Sequence, residues 1–360
     1  QNSEPFETIL IAGKGHETTQ DYGKKIIKIS DKSIVNRTVV KKIRFSKKKY
    51  SKYLNSKILN KITNNNKPLS FKGVSINSKE VKKGNLFIAI KGTNKDGHNY
   101  IADAIKKGAN FCVISKNIKN FDRRKLIKFN NTMTFLNKLA FHKRYFSEAK
   151  IIGVTGSSGK TTIKTLLGKM LKVFGKTYCS PKSFNNHYGV PLSLSNLDYE
   201  HDYGIFEVGM SKAGEINTLS KMVRPDIAII TNIAQAHIEN FKDIKGIAKA
   251  KSEIINNIDR RGTVVLNKDD RFFNYLKDIA ISKRVKILSF SKNQKADIYL
   301  IKNKKVGKNN LFKIKAIDET LFLKITNTNS TNISNILSCI AVLKILGLNL
   351  SKVINLFKNT

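Results

Sequence analysis

Between Ile151 and Thr162 the chain reads IIGVTGSSGKTT, an order of residues whose chemistry is phosphate binding. An apolar run able to form a buried strand meets Gly156, Ser157, Ser158 and Gly159, after which Lys160, Thr161 and Thr162 open a stretch able to continue as a helix. Glycines let successive backbone N–H groups turn toward one point, and the helix start adds partial positive charge there. A lysine at the place of Lys160 reaches β- and γ-phosphates, and a hydroxyl at the place of Thr161 can ligate Mg2+. The spacing departs from the strict phosphate-loop pattern. Val154 stands where the first glycine belongs, and Gly153 and Gly156 bracket it. A plain glycine-rich turn is the alternative; the GKTT core in its strand-to-helix setting argues for a nucleotide. Glu207 is the second chemical group, at the end of the apolar run YGIF. A carboxylate at the C-terminal end of a parallel strand faces the ligand crevice and is a hard oxygen donor suited to Mg2+. A surface glutamate at a strand end is the other reading.

These groups need a sheet to hold them. KIIGVTG, YGIFEVG, IAIITNI, GTVVLN and VKILSF are apolar runs that alternate with stretches of helical pattern, which predicts a mostly parallel sheet. Upstream, VSINSKEV, NLFIAI and NFCVIS read as strands of a smaller unit, and NYIADAIKKGA as a helix closed by Gly108. TNISNILSCIAVLKILGLNLSKVINLF reads as an apolar helix pair. FETILIA, running into GKGHE, reads as a strand feeding a glycine loop, and residues 24–40 suggest one or two further short strands. Then Lys41, Lys42, Arg44, Lys47, Lys48 and Lys49 crowd together, with Asn64, Asn65 and Asn66 following, a shift that predicts a linker. The expected fold class is α/β: a small N-terminal unit, then a doubly wound, mostly parallel sheet carrying the phosphate loop.

Composition narrows the function. The 360 residues have room for two or three domains with real cores, and a 40% hydrophobic share argues against disorder. No apolar run is long enough to span a bilayer. Cys112, Cys179 and Cys339 lie too far apart for a disulfide framework or a cysteine zinc module, so a reducing cytoplasm is expected. The first residues carry neither a basic n-region nor a small-residue cleavage site, so no secretory signal is expected. With no initiating Met and no closing motif, we expect a fragment. Lys and Arg number 67 against 26 Asp and Glu, a net +41. That excess suits nucleic acid or an anionic membrane, or simply a chain that places lysine at any polar surface position. The lysines are spread throughout, without interleaved aromatic residues to stack on bases, so no nucleic-acid partner is expected.

Residues from about 69 to 360 resemble the Mur ligases. The motifs that carry the likeness are TGSSGKTT (155–162), FNNHYGVP (184–191), FEVGMSKAGEI (206–216), RPDIAIITNIAQAHIENF (224–241), IAKAKSEI (247–254), LNKDD (266–270) and TNISN (331–335). The asparagine pair before GVP and the VGM…GEI element point to members that add D-alanyl-D-alanine to UDP-N-acetylmuramoyl-tripeptide. The resemblance implies ATP and Mg2+, an acyl phosphate formed on the tripeptide carboxylate, and attack on it by the dipeptide amine. It implies catalytic roles for Lys160, Glu207, His237 and Lys251, with Thr161, Glu207, His237 and Lys251 as metal ligands, Lys251 through a carbamate. It places Asn267, Asp270, Asn332 and Asn335 with Gly156 to Thr162 around the nucleotide. Asn185 and Asn186 would face the sugar-peptide, and Ser78, Lys91, Asp96 and Gly97 the uridine end, with His98 read as structural. Two departures stand out: Asn77-Ser78-Lys79 replaces the usual D-S-R, and Thr331 stands where histidine is usual. By themselves, Lys251 reads as a solvated-face lysine, Asn332 as a helix cap and Asn267 and Asp270 as a turn.

ILIAGKGHETTQDYGKK resembles the C-terminal end of the ligase acting one step earlier, where Gly13 and Glu17 would lie at an amino-acid site; here we expect them to be idle. The expected division is a remnant at 1–36, a basic linker at 37–68, a UDP-substrate domain at 69–146 and an ATP-binding domain at 147–360. A third, amine-positioning domain is expected after Thr360. Without it the chain should bind ATP and UDP-peptide as a monomer but not ligate.

Overall fold

The computed structural model describes residues 20–21, 26–27, 51–64, 69–236, 238–307, 309–326, 333–354 and 356. Gly13, Glu17, the Lys41–Lys49 cluster, His237, Thr331 and Asn332 lie outside the described residues. Strands β1 (Gln20–Asp21) and β2 (Ile26–Ile27) pair antiparallel.

Strands β3 (Gly73–Ser75), β4 (Asn85–Ile88), β5 (Phe111–Ile114) and β6 (Leu126–Lys128) form a parallel sheet in that order. Alternation assigns its faces: Leu86 and Ile88 meet one core, Phe87 and Ala89 the other. Helix α2 (Ile101–Lys106) covers the Phe87 side. The Leu86 side is covered by α3 (Thr132–Tyr145) and by α1 at residues 51–63. The linker expected at 37–68 therefore does not describe α1. Leu54, Ile58, Leu59 and Ile62 recur at helical spacing and are buried, while the lysines between them face outward. The basic residues masked an amphipathic helix. Leu59→Ala should lower unfolding stability by about 2–5 kcal/mol, as for other buried leucines. Denaturant titration checks this; an unchanged midpoint would return 51–63 to the role of a tether.

The larger sheet is built from β7 (Lys150–Thr155), β8 (Thr177–Cys179), β9 (Tyr203–Glu207), β10 (Ile227–Ile230), β11 (Thr263–Asn267), β12 (Lys286–Ser291), β13 (Ile298–Val306), β14 (Asn309–Ala316) and β15 (Glu319–Thr326). Its order is β15-β14-β13-β12-β11-β10-β7-β9-β8, parallel from β8 to β13 and antiparallel beyond. Helices α4 (Lys160–Leu171) and α9 (Ile333–Ile345) pack on the face carrying Ile152, Val154 and Ile229. On the opposite face, with Ile151, Phe206 and Ile230, lie α5 (Gly189–Ser195), α6 (Glu215–Val223), α7 (Ile244–Ser252) and α8 (Phe273–Ser282). The doubly wound, mostly parallel α/β fold is thus present. The hairpin strands β13 to β15 went unread because lysines at 302, 304, 305, 313, 315 and 324 hide the alternation of Phe312, Ile314 and Ala316 with Leu321, Leu323 and Ile325. Past α9, the expected second helix is a 3-10 turn at Leu350–Lys352.

The two sheets are joined by polar contacts. Asn196 accepts from the Val74 N–H at 2.8 Å and donates to its carbonyl at 3.0 Å. The buried Lys143 ammonium lies 2.7 Å from both Asp198 Oδ1 and Asn55 Oδ1.

Candidate functional site

Strand β7 lies between β10 and β9, where the strand order reverses, so the loops leaving these three strands open into one crevice. The loop after β7 is the glycine turn. Gly156 (φ 144°) and Gly159 (φ 82°) both take left-handed backbone, and both are crowded. A Cβ on Gly156 would sit 1.9 Å from Thr231 Oγ1, and one on Gly159 2.8 Å from Asn335 Oδ1. Neither position tolerates a side chain. The segment after β10 holds the loop in shape. Ser157 N–H donates to the Asn232 carbonyl (3.0 Å), Ser158 N–H to Asn232 Oδ1 (3.0 Å), and Thr231 Oγ1 to the Ser158 carbonyl (2.6 Å). Thr231 and Asn232 escaped the sequence reading, since a loop's bracing residues carry no periodic signal. Lys160 folds back so that Nζ donates to the Gly156 carbonyl at 2.7 Å. Burial lowers its pKa, with Glu207 acting in the opposite sense. Thr161 and Thr162 are exposed at the start of α4.

The loop separates two cavities. The larger, about 740 Å³, is walled by Gly156, Ser157 and Lys160 on one side and by Asn185, Asn186 and Lys251 on others. The smaller, about 170 Å³, takes in Ser158, Asn267, Asp269, Lys292 and Asn335. Asn185, Asn186, Lys251, Asn267 and Asn335 are therefore brought to the loop from four separate places in the sequence.

Asp270 is not. Its Oδ2 accepts from Ile233 N–H (2.6 Å) and its Oδ1 from Phe272 N–H (2.9 Å), so it braces the loop after β10. Its neighbour Asp269 lines the smaller cavity, fixed by Ser291 Oγ and Lys292 N–H, each at 2.7 Å. Asn186 Oδ1 is also engaged, accepting from Gly189 N–H at 2.9 Å at the start of α5.

Glu207 ends β9 and is fully buried. The Lys164 ammonium lies 2.7 Å from its Oε1, close enough for an ion pair but without hydrogen-bond alignment. Among the described residues its Oε2 has no hydrogen-bond partner. Lys251, only 3% exposed, is far from a solvated-face lysine. Burial, then the charge of Lys160, lowers its pKa to about 7. Among the described residues no three His, Cys, Asp or Glu side chains gather as a metal site.

Ser78, Lys91, Asp96 and Gly97 line neither cavity. Lys91 and Asp96 form an isolated antiparallel bridge. Asp96 is held well below the usual carboxylate range, chiefly by Lys116 at 2.8 Å. Buried His98 lies with Nδ1 2.6 Å from Asp96 Oδ1 and accepts from Ser115 N–H at 3.0 Å through Nε2, a structural role as expected from its sequence context.

The sequence pattern of the Mur ligase middle domain matches residues 154–343, more than half of the chain. The chain belongs to the Mur ligase family. Residues 70–144 of this Mur ligase match the pattern described as Mur ligase family, catalytic domain. It is 41% identical over 238 residues to the UDP-N-acetylmuramoyl-tripeptide–D-alanyl-D-alanine ligase of Rickettsia prowazekii (strain Madrid E), covering 65% of this chain and 52% of that one. To the ligase of the same name from Escherichia coli (strain K12) it is 31% identical over 217 residues, 60% of this chain and 48% of that one. The chain thus spans about half the length of the curated relatives it matches. In structure it is similar to MurF from Acinetobacter baumannii, with TM-score 0.73 and 27% identity over 85% of this chain and 68% of that one. It is also similar to MurF ligase from Thermotoga maritima in complex with ADP, with TM-score 0.67 and 29% identity over 79% of this chain and 65% of that one.

Proposed function

We propose that this Mur ligase joins D-alanyl-D-alanine to UDP-N-acetylmuramoyl-tripeptide in an ATP-dependent amide ligation that serves peptidoglycan precursor synthesis. The observation that carries the reading is the placement of one phosphate loop as the shared wall of two cavities. A nucleotide seated with its nucleoside beside Asn267, Asp269 and Asn335 extends its phosphates over Gly156 to Lys160 toward the larger cavity. There Asn185 and Asn186 are available to hold a sugar-peptide carboxylate in line with the γ-phosphoryl group. Attack by that carboxylate gives an acyl phosphate; attack by the dipeptide amine then releases phosphate.

The residues do most of this by position. Lys160 leaves the Gly156 carbonyl for the phosphates, supplying charge where it builds during transfer. The bracing engages the Ser157 and Ser158 N–H groups, which leaves those of Lys160 and Thr161 at the start of α4 to meet the phosphates. Mg2+ fits the oxygen donors present: the buried Oε2 of Glu207, which has no hydrogen-bond partner among the described residues, and the exposed hydroxyl of Thr161. Bound there, it would neutralise charge on the phosphoryl oxygens. His237 and a carbamylated Lys251 complete the proposed ligand set, and Asn332 the nucleotide contacts. Ser78, Lys91, Asp96 and Gly97 remain proposed for the uridine end.

A monomer is the proposed state of the chain. The free thiols Cys112, Cys179 and Cys339 fit the cytoplasm, and among the described residues no helix is long and apolar enough to cross a membrane. The chain should bind both ATP and UDP-N-acetylmuramoyl-tripeptide in calorimetry. The protein that carries it should release ADP only with tripeptide and D-alanyl-D-alanine both present, with the pentapeptide product identified by mass. ADP release indifferent to the dipeptide would refute the ligase reading.

A further inference from the structure

Lys164 follows Lys160 by one turn of α4, and in the sequence it is one more lysine among many. Its surroundings are not those of a surface lysine. It is 4% exposed, its ammonium lies 2.7 Å from Glu207 Oε1, and it donates a hydrogen bond to the Lys182 carbonyl. Glu207 has no other side-chain charge at salt-bridge distance among the described residues. Lys182 belongs to the segment that runs into Asn185 and Asn186, and its own ammonium reaches Glu80 of the smaller sheet's unit at 2.6 Å.

One ammonium therefore touches two elements that the proposed reaction must keep in register: the carboxylate behind the phosphate loop and the segment lining the larger cavity. An ammonium suits this because its compact charge attracts the Glu207 carboxylate while one of its three donors serves the Lys182 carbonyl. Glu207 is fully buried, so the charge beside Oε1 orients its carboxylate.

We propose that Lys164 is a positioning residue, holding Glu207 Oε1 and the Lys182 carbonyl together so that Oε2 is the oxygen left for a divalent cation. The inference rests on the reading of this site as a magnesium-nucleotide site. Partners that orient a metal ligand typically matter by about 10–100-fold in metal affinity. Lys164 acts on the cation through Glu207, so its loss should appear in the magnesium-dependent part of nucleotide binding and not in the rest.

ADP titrations with and without Mg2+ test this on the wild-type chain, Lys164→Met, Glu207→Gln and the double variant. Lys164→Met should cut the gain in ADP affinity brought by Mg2+ by about 10–100-fold while leaving magnesium-free affinity unchanged. Added to Glu207→Gln, it should cost nothing further. An equal loss with and without Mg2+, or a full additional loss in the double variant, overturns the proposal. If Lys164→Met alone does not fold, the comparison of Glu207→Gln with the double variant decides, since the double variant leaves no lone buried charge. A wild-type chain that binds no ADP removes the nucleotide reading, and this inference with it. Wild-type binding whose Mg2+ gain survives Lys164→Met removes this inference alone.

Discussion

Lys160→Ala is expected to lower Mg·ATP affinity by about two to four orders of magnitude and to leave the fold intact. Charge-assisted hydrogen bonds contribute about 1.5–3 kcal/mol each, and every 1.4 kcal/mol is a factor of ten, so two such bonds to phosphate oxygens account for that range. The side chain is half-buried, and the hydrogen bond it makes runs to Gly156, within its own loop. Nothing in the core depends on it, so the unfolding midpoint should move little, within about 1 kcal/mol. The backbone of the loop keeps its own bracing through Ser157, Ser158, Thr231 and Asn232. Calorimetry on variant and wild type, with matched circular dichroism, separates the two effects. Unchanged affinity in a folded variant would mean that the glycine turn is only a turn.

The phosphate loop was legible because its physics is local: glycines, a strand before them and a helix after them are all contiguous. The parallel sheet was legible for the same reason, since each buried strand announces itself as an apolar run. Features that depend on what a side chain meets across the fold were not. By residue type alone Lys164 and Lys251 are indistinguishable from dozens of surface lysines, yet both are buried, and only the family resemblance singled out Lys251. Asp269 and Asp270 are adjacent, and the turn after β11, not any sequence pattern, sends one to the small cavity and the other to the loop after β10. Lysine content was the main source of error. It hid the amphipathic pattern of α1 and the alternating strands of the β13–β15 hairpin, because long lysine side chains occupy the outward positions of both.

Lys251 should make stability rise with pH, and its replacement should remove that slope. The folded chain holds this amine near pKa 7, whereas the ordinary value is 10.5. Between those values the unfolded chain carries a proton there that the folded chain does not, so the native state gains stability as pH rises through the window. At and below about pH 7 the full penalty of burying the group is present, on the order of 4–5 kcal/mol from the difference in pKa. Lys251→Met has nothing to titrate. Relative to wild type it should be more stable at neutral pH, and the difference should shrink steadily toward pH 10. Urea unfolding at several pH values in carbon-dioxide-free buffer measures this; a difference that stays flat across the window would show that the amine is not held neutral. The same neutral amine is what the proposed carbamate requires, since it must attack CO2 and release a proton to give an anionic oxygen donor. Labelled bicarbonate should therefore yield a carbamate carbon signal in wild type near neutral pH that is lost in Lys251→Met. Absence of that signal, with the pH slope present, would leave Lys251 as a neutral buried amine and remove it from the metal ligands.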